Sequence, residues 1–149
     1  MKRMVSCLFA VGLAIAAGSR APAASDPLAA VRQFVDGLNT GNTASSIAAC
    51  PPQTAIVDDF APHTWTSCAD WAKAFAADMK HSDDTSPALT LGKPWQDNVT
   101  GNVAYVVVPA DFAYKEHGKP MEQKGNVWTF VLKRLAPGWR IVAWAWALH

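Results

Sequence analysis

Residues 125–149 read GNVWTFVLKRLAPGWRIVAWAWALH, two apolar runs on either side of an Ala136-Pro137-Gly138 turn. A short turn between runs rich in Val, Ile, Trp and Phe indicates a β-hairpin. In each run, side chains alternate with the period of two that is typical of a strand. Trp128, Phe130 and Leu132 share one face of the first run. In the second run, Val142, Trp144, Trp146 and Leu148 alternate with Ile141, Ala143, Ala145 and Ala147. Because both faces are largely apolar, we expect the hairpin to be covered on both sides, or to line a pocket on one.

The composition indicates one globular domain. The chain has 149 residues, half of them hydrophobic, and a formal net charge of +1, so it can bury a core and is not a disordered chain. This charge offers no electrostatic footprint for nucleic acid, and we expect no nucleic-acid partner. Seven tryptophans are present, and several are expected at a cavity or an interface, since a buried indole N–H needs a partner.

Residues 1–24 have the pattern of a signal peptide. A basic start, Met1-Lys2-Arg3, precedes an apolar run over residues 4–17, and Ala21-Pro22-Ala23 offers a small-x-small cleavage site. The alternative, an uncleaved anchor, is disfavoured because the run is shorter than the roughly 20 residues that span a bilayer. We therefore expect a periplasmic or secreted protein, with no stable membrane insertion after cleavage and a mature domain over residues 25–149.

The mature chain would keep two cysteines, Cys50 and Cys68. In an oxidising compartment these favour one disulfide, and two separate buried thiols are the alternative. No His or third Cys stands at ligand spacing, so no metal site is expected. A Gly-rich phosphate loop is also missing from the sequence, and we expect no cofactor.

Three helices are predicted in the first half. Asp26 and Pro27 suit the N-cap and first position of a helix that ends at Gly41. A short helix over residues 43–49 follows. Ser67 and Asp70 form a capping box for the third helix. Its apolar stripe comprises Cys68, Trp71, Ala72, Phe75, Ala76 and Met79.

The remaining segments are predicted to be strands. A short strand lies at residues 55–57, a turn at residues 98–102, and Pro109 marks a bulge or an edge. Four longer strands are expected at residues 89–95, 103–115 and 121–135 and in the final run. Helices that precede an antiparallel sheet indicate an α+β fold. We expect about three helices packed on a strongly curved antiparallel sheet that forms a half-open cone.

Three segments resemble the NTF2-like superfamily, which includes SnoaL-like proteins and ketosteroid isomerases. They are FVDGLNTGN at residues 34–42, IVDD at residues 56–59 and GWRIV at residues 138–142. The resemblance covers nearly all of the mature chain. It implies a curved sheet wrapped on helices around an apolar pocket, and a homodimer across the outer face of the sheet.

The resemblance also implies where catalytic groups would stand. The isomerases use a carboxylate base and stabilise the enolate with a tyrosine and a protonated aspartate. Asp58 falls at the position of the base, but the tyrosine position is Phe34. The second acid would lie near Phe130 or Val131, where no acid is present. Without these donors, steroid isomerisation is not expected.

Asp58 and Asp59 are the sharpest candidates for chemistry. Adjacent strand residues point to opposite faces, so one acid should enter the cone. There its pKa would be raised, and it could act as a base or bind a cationic or hydroxylated ligand. Alternatively, both acids cap the loop ahead of Pro62 or pair with Arg32 or Arg140.

His63 could complete an acid–base couple with Asp58. Alternatively, it is a hydrogen-bonding surface residue. A metal site built from His63 and the two acids fits no strong spacing pattern.

Further pocket candidates come from the strands. Asp111 lies within an apolar run, although an edge-strand charge that discourages aggregation explains it equally well. The tryptophans of the hairpin could instead form core or a dimer interface, with a helix packed on the alanine face. The predicted pocket residues are Phe34, Asp58, Asp59, Trp65, Tyr105, Asp111 and Trp128.

These observations favour an exported domain that binds a small apolar or amphipathic molecule in its cone. One alternative is an isomerase- or dehydratase-type enzyme with Asp58 as general base and His63 as its partner. The other is a non-catalytic module that dimerises through its sheet.

Overall fold

The computed structural model describes residues 26–149 and confirms the α+β cone. Three helices pack on a curved sheet of seven strands. The helices are α1 (Pro27–Asn39), α2 (Thr43–Ala48) and α3 (Cys68–His81). The strands are β1 (Ala55–Val57), β2 (Thr64–Trp65), β3 (Asp84–Leu91), β4 (Gln96–Thr100), β5 (Val103–Glu116), β6 (Lys119–Leu135) and β7 (Gly138–Ala147). The sheet is mixed and not purely antiparallel, because β1 runs parallel to β7.

The predicted helix starts are confirmed. The Asp26 carboxylate accepts a hydrogen bond from the Leu28 backbone N–H at 3.0 Å. The Ser67 hydroxyl accepts one from the Asp70 N–H at 3.0 Å and donates to the Asp70 carboxylate at 2.7 Å. The two bonds from the Leu28 and Asp70 N–H groups satisfy backbone donors that the first turn leaves free.

The C-terminal hairpin forms as β6 and β7, but its register contains a bulge. Val131 pairs with Ala143 while Leu132 pairs with Ile141, so Val142 is the extra residue. The prediction that Val142 shares the face of Trp144 is therefore wrong, because a bulge reverses the alternation beyond it. Ile141 and Trp144 both point to the inner, buried face instead.

The inner face of the hairpin packs on the helices. Its buried side chains are Trp128, Phe130, Leu132, Trp139, Ile141 and Trp144. The alanines of β7 lie on the outer face of the sheet, in register with Val131 and Thr129. The alternative with a helix on the alanine face is wrong, since covering the large rings removes far more apolar area from water.

The middle strands differ from the prediction in extent. β3 begins at Asp84, and residues 96–100 form β4 where a turn was predicted. Pro109 does not form a bulge; the register shift lies between Ala110 and Phe112, and the extra residue there belongs to β6. On the side of β5 that faces β3 and β4, Pro109 lies between Val107, which pairs with β4, and Ala110, which pairs with β3. No ladder bond there needs its missing N–H.

Two other predictions concern the N-terminus and the membrane. The signal peptide at residues 1–24 lies outside the described residues. Within residues 26–149, no helix combines the length and the apolar character needed to cross a membrane.

A disulfide joins Cys50 to Cys68 across 18 residues of chain. Cys50 follows α2, and Cys68 is the first residue of α3. Both cysteines are buried. The disulfide therefore joins the start of α3 to the segment after α2, where the Ala49 carbonyl accepts a hydrogen bond from the Ile141 N–H of β7. The alternative of two separate thiols is wrong.

Replacing both cysteines, Cys50→Ala with Cys68→Ala, should lower the free energy of unfolding by about 3 kcal/mol. The physical reason is the greater entropy of the unfolded chain once an 18-residue loop is no longer closed. Urea unfolding of the oxidised wild type and the double variant measures this. Equal midpoints would contradict the prediction.

Candidate functional site

The candidate site is a cavity of about 200 Å³. It lies between α3, the loop after β1 and the concave face of the sheet. Its lining is mostly aromatic and acidic. The lining residues are Asp58, Asp59, Phe60, Trp71, Phe75, Asp78, Met79, Asp84, Leu89, Phe112, Tyr114, Gln123, Trp128 and Trp146.

Asp58 is the buried polar group of this lining, with only 8% of its surface exposed. The Trp71 indole N–H donates to its Oδ2 at 2.7 Å, and the Asp59 backbone N–H donates to its Oδ1 at 2.8 Å. Both carboxylate oxygens therefore have a partner. Hydrogen bonds of this kind are what allow a carboxyl group to remain buried.

The position of Asp58 follows from the pairing of β1 with β7. Ile56 lies opposite Trp144 and is buried on the inner face. The strand ends at Val57, and the Asp58 backbone N–H donates to the His63 carbonyl at 3.0 Å. This bond closes the loop after β1 and turns the Asp58 side chain towards α3.

Burial raises the pKa of the Asp58 carboxyl from 3.8 to about 7. The neighbouring Asp59 adds to the increase in pKa, and the Trp71 hydrogen bond opposes it by stabilising the charged form. Asp58 can therefore gain or lose a proton near neutral pH, as a general base in a cavity must.

Asp59 lies at the rim of the same cavity and is exposed. The prediction that the two acids face opposite sides of a strand is wrong, because β1 ends before either of them. The alternative ion pairs do not form within the described residues. Arg32 pairs with Asp26 instead, and Arg140 donates to the Trp139 carbonyl.

His63 does not converge on the carboxylate. Its Nδ1 lies 3.2 Å from the backbone oxygen of Asp58, the side chain is exposed, and it does not line the cavity. The predicted Asp58–His63 couple is therefore not assembled. Nor do His, Cys, Asp and Glu residues gather into a metal-binding group anywhere in residues 26–149.

Of the other predicted pocket residues, only Trp128 lines the cavity. Phe34 is packed in the core, with ring centroids 5.7 Å from Trp71 and 5.8 Å from Trp128. Trp65 packs behind the lining residue Phe60, at 4.6 Å between ring centroids.

Tyr105 and Asp111 also lie outside the cavity. Tyr105 is 44% exposed and lies opposite Val131, on the outer face of the sheet. Asp111 lies opposite a bulge in β6, where its carboxylate accepts a hydrogen bond from the Gly125 N–H at 2.8 Å. Asp111 therefore connects the two strands at the point where the β5–β6 ladder is interrupted.

Four of the eleven lining residues that sequence reasoning missed come from α3. Trp71, Phe75 and Asp78 follow at helical spacing and line one wall of the cavity. The helical stripe identified Trp71 and Phe75 as core residues. The need of a buried indole for an acceptor was the available signal that Trp71 would meet an acid.

This chain is similar to known proteins when structures are compared. No family model and no curated protein matches its sequence. An NTF2-like superfamily protein from Salmonella enterica has a TM-score of 0.67 at 15% identity, over 80% of this chain and 86% of that one. A proposed ketosteroid isomerase from Shewanella frigidimarina has a TM-score of 0.65 at 23% identity, over 83% and 95%. A proposed dehydratase of the NTF2-like family from Streptomyces avermitilis has a TM-score of 0.68 at 14% identity, over 83% and 94%.

The chain has the NTF2-like fold. At these identities the likeness extends to the fold and not to the activity, because unrelated functions share such scaffolds. In this fold the cavity, with Asp58 beneath its rim, occupies the inside of the cone.

Replacing Asp58 with Asn should change the pH dependence of stability. The unfolded carboxyl loses its proton near its ordinary pKa of 3.8, whereas the folded carboxyl keeps it until about pH 7. The contribution of Asp58 to stability is thus complete below about pH 4 and is lost as the pH rises to about 7. Relative to wild type, Asp58→Asn should gain roughly 3 to 4 kcal/mol of unfolding free energy between pH 4 and pH 8.

Urea unfolding of both proteins across this pH range measures the difference, in which the titration of groups that do not interact with Asp58 cancels. Parallel curves for the two proteins would rule out a raised Asp58 pKa.

Proposed function

We propose that the protein binds a small apolar or amphipathic molecule in the cavity of its cone. The observation that carries this proposal is the cavity itself, with apolar walls and a buried carboxyl group. A concave apolar site with a few polar groups is the common form of a small-molecule site.

The size of the cavity limits the ligand. Drug-sized sites measure roughly 300–1,000 Å³, and a dry apolar cavity of about 150 Å³ holds benzene. A cavity of about 200 Å³ therefore suits a molecule with one ring or a short chain and is too small for a steroid.

An isomerase- or dehydratase-type activity is the second candidate, favoured by the Asp58 pKa of about 7. Two structural relatives are also described as a proposed isomerase and a proposed dehydratase. A base alone does not complete such a site, however, because the developing enolate needs hydrogen-bond donors, and those of the isomerases are absent from their positions. Phe34 has no hydroxyl, and Phe130 and Val131 stand where the second acid would be. Binding is therefore the better-supported function.

We also propose that the protein works outside the cytoplasm. The signal-like residues 1–24 support this location, and so does the Cys50–Cys68 disulfide, since disulfides persist in oxidising compartments.

A cavity-filling substitution tests the binding proposal. Leu89→Phe should weaken binding of one-ring fragments at least tenfold, because the added ring occupies part of the cavity. Leu91→Phe is the matched control. It makes the same change two residues along β3, at a half-buried position that does not line the cavity.

Fragments are first selected by thermal shift on the wild type, and their affinities are then measured by calorimetry on all three proteins. If no fragment binds, or if both variants lose binding equally, the cavity is not the binding site.

We propose that a second copy of the chain covers the outer face of the sheet. An apolar groove there is lined by Ala55, Val57, Thr64, Thr129, Val131, Ala143 and Ala145, among others. Val57 in this lining is exposed, and so is Tyr105, which lies opposite Val131. Small side chains on an apolar sheet face permit close approach of another sheet, and exposed apolar patches often mark interfaces.

Tyr105→Glu should convert a dimer into a monomer, because it places a charge in this interface. Met121→Glu introduces the same charge at an exposed apolar position near the other end of β6 and should leave the dimer intact. Light scattering after gel filtration gives the masses. A monomeric wild type would disprove the dimer.

A further inference from the structure

Four carboxyl groups surround the cavity from three directions. Asp58 and Asp59 follow β1, Asp78 comes from the last turns of α3, and Asp84 begins β3. None of the four forms a salt bridge within residues 26–149. No Lys, Arg or His of the described chain lines the cavity. No basic residue of the lining therefore balances these acidic groups, although the net charge of the whole chain is close to zero.

The walls between these acids are aromatic. Seven of the lining side chains carry rings: Phe60, Trp71, Phe75, Phe112, Tyr114, Trp128 and Trp146. The face of an aromatic ring is electron-rich and attracts cations, more strongly when the cation is desolvated. The aromatic rings and the carboxylates therefore both favour a ligand with a positive charge.

Two buried polar atoms of the lining lack a partner in the described structure. One is Oδ1 of Asp84. The other is Nε1 of Trp128, a residue with only 2% of its surface exposed. Unsatisfied buried polar atoms are rare in folded proteins and call for an explanation. A ligand N–H close to Asp84 would supply one missing bond, and a hydroxyl on the same ligand could supply the other.

A metal ion does not fit this arrangement. Divalent cations need several oxygen ligands within about 2.6 Å of one point. Among residues 26–149, no three His, Cys, Asp or Glu residues lie close enough together to hold an ion. The carboxylates are instead spread around the walls, as suits a positive charge carried by an extended organic molecule.

We propose that the ligand of this cavity is a small organic cation, an ammonium group on an apolar body of about one ring. The apolar body would pack against the rings, and the ammonium would lie among the carboxylates, with Asp84 as its hydrogen-bond acceptor. This inference rests on the proposed binding function and names the chemical class of its ligand.

Three probes of equal size test the inference: 2-phenylethylamine, 2-phenylethanol and phenylacetate. They share a ring and a short chain and differ in charge, which is positive, zero and negative.

Calorimetry with the wild-type protein at pH 7.5 and low salt should give at least tenfold tighter binding of the amine than of the alcohol, and no detectable binding of phenylacetate. If the alcohol or phenylacetate binds as tightly as the amine, the charge preference is wrong while the binding function stands. If none of the three binds, and fragment screening also finds no ligand, both proposals fail.

A pair of variants locates the contact. Asp84→Asn should weaken binding of the amine at least fivefold and leave binding of the alcohol unchanged. Asp83→Asn is the matched control, because it removes the same charge from the neighbouring residue, which does not line the cavity and pairs with His117. Equal losses in the two variants would indicate a general field effect and would overturn the assignment of Asp84. Circular dichroism of both variants verifies that they are folded.

Discussion

The hydrogen bond from the Trp71 indole to the Asp58 carboxylate, 2.7 Å long, connects the helical layer to the end of β1. In a buried setting such a bond is strong, and losing either partner would leave the other unsatisfied. The disulfide at Cys68 fixes the same helix one turn earlier. Together these two links set how far α3 stands from the sheet. That spacing is what leaves an opening between helix and sheet, with an acid beneath it.

A buried acid of raised pKa reduces stability at neutral pH. Carboxyl groups with a perturbed pKa in a cavity are common at functional sites, and this supports the proposed binding function. The fold by itself does not select the function, since NTF2-like scaffolds carry several. Here the selection comes from the cavity, whose volume, rings and uncompensated carboxylates favour a small cationic ligand over a steroid. The groups that a steroid isomerase needs opposite its base are missing from Phe34 and from the middle of β6.

Local signals predicted much of the architecture. The caps at Asp26 and Ser67 and the apolar stripe of α3 are local features, and hydrogen bonds or packing within a few residues decide them. The strands at β5, β6 and β7 followed from alternation. The incorrect predictions concern segments whose structure depends on pairing with another strand. Whether residues 96–100 form a strand depends on β5, and the bulge at Val142 depends on its register with β6. Neither partner is visible in the local pattern.

The candidate site divides in the same way. The sequence by itself determined that an acid pair follows a short strand, that several of the seven tryptophans should lie at a cavity or an interface, and that two cysteines remain after residue 24. Only the tertiary structure decided that Asp58 meets Trp71, that Tyr105 faces outward, and that His63 reaches a backbone oxygen instead of a carboxylate. The physical reason is that burial, pKa and ring contacts depend on elements brought together from distant parts of the chain. Periodicity in the sequence indicates only the face of a helix or strand on which a side chain lies. It does not indicate which residues the side chain contacts there.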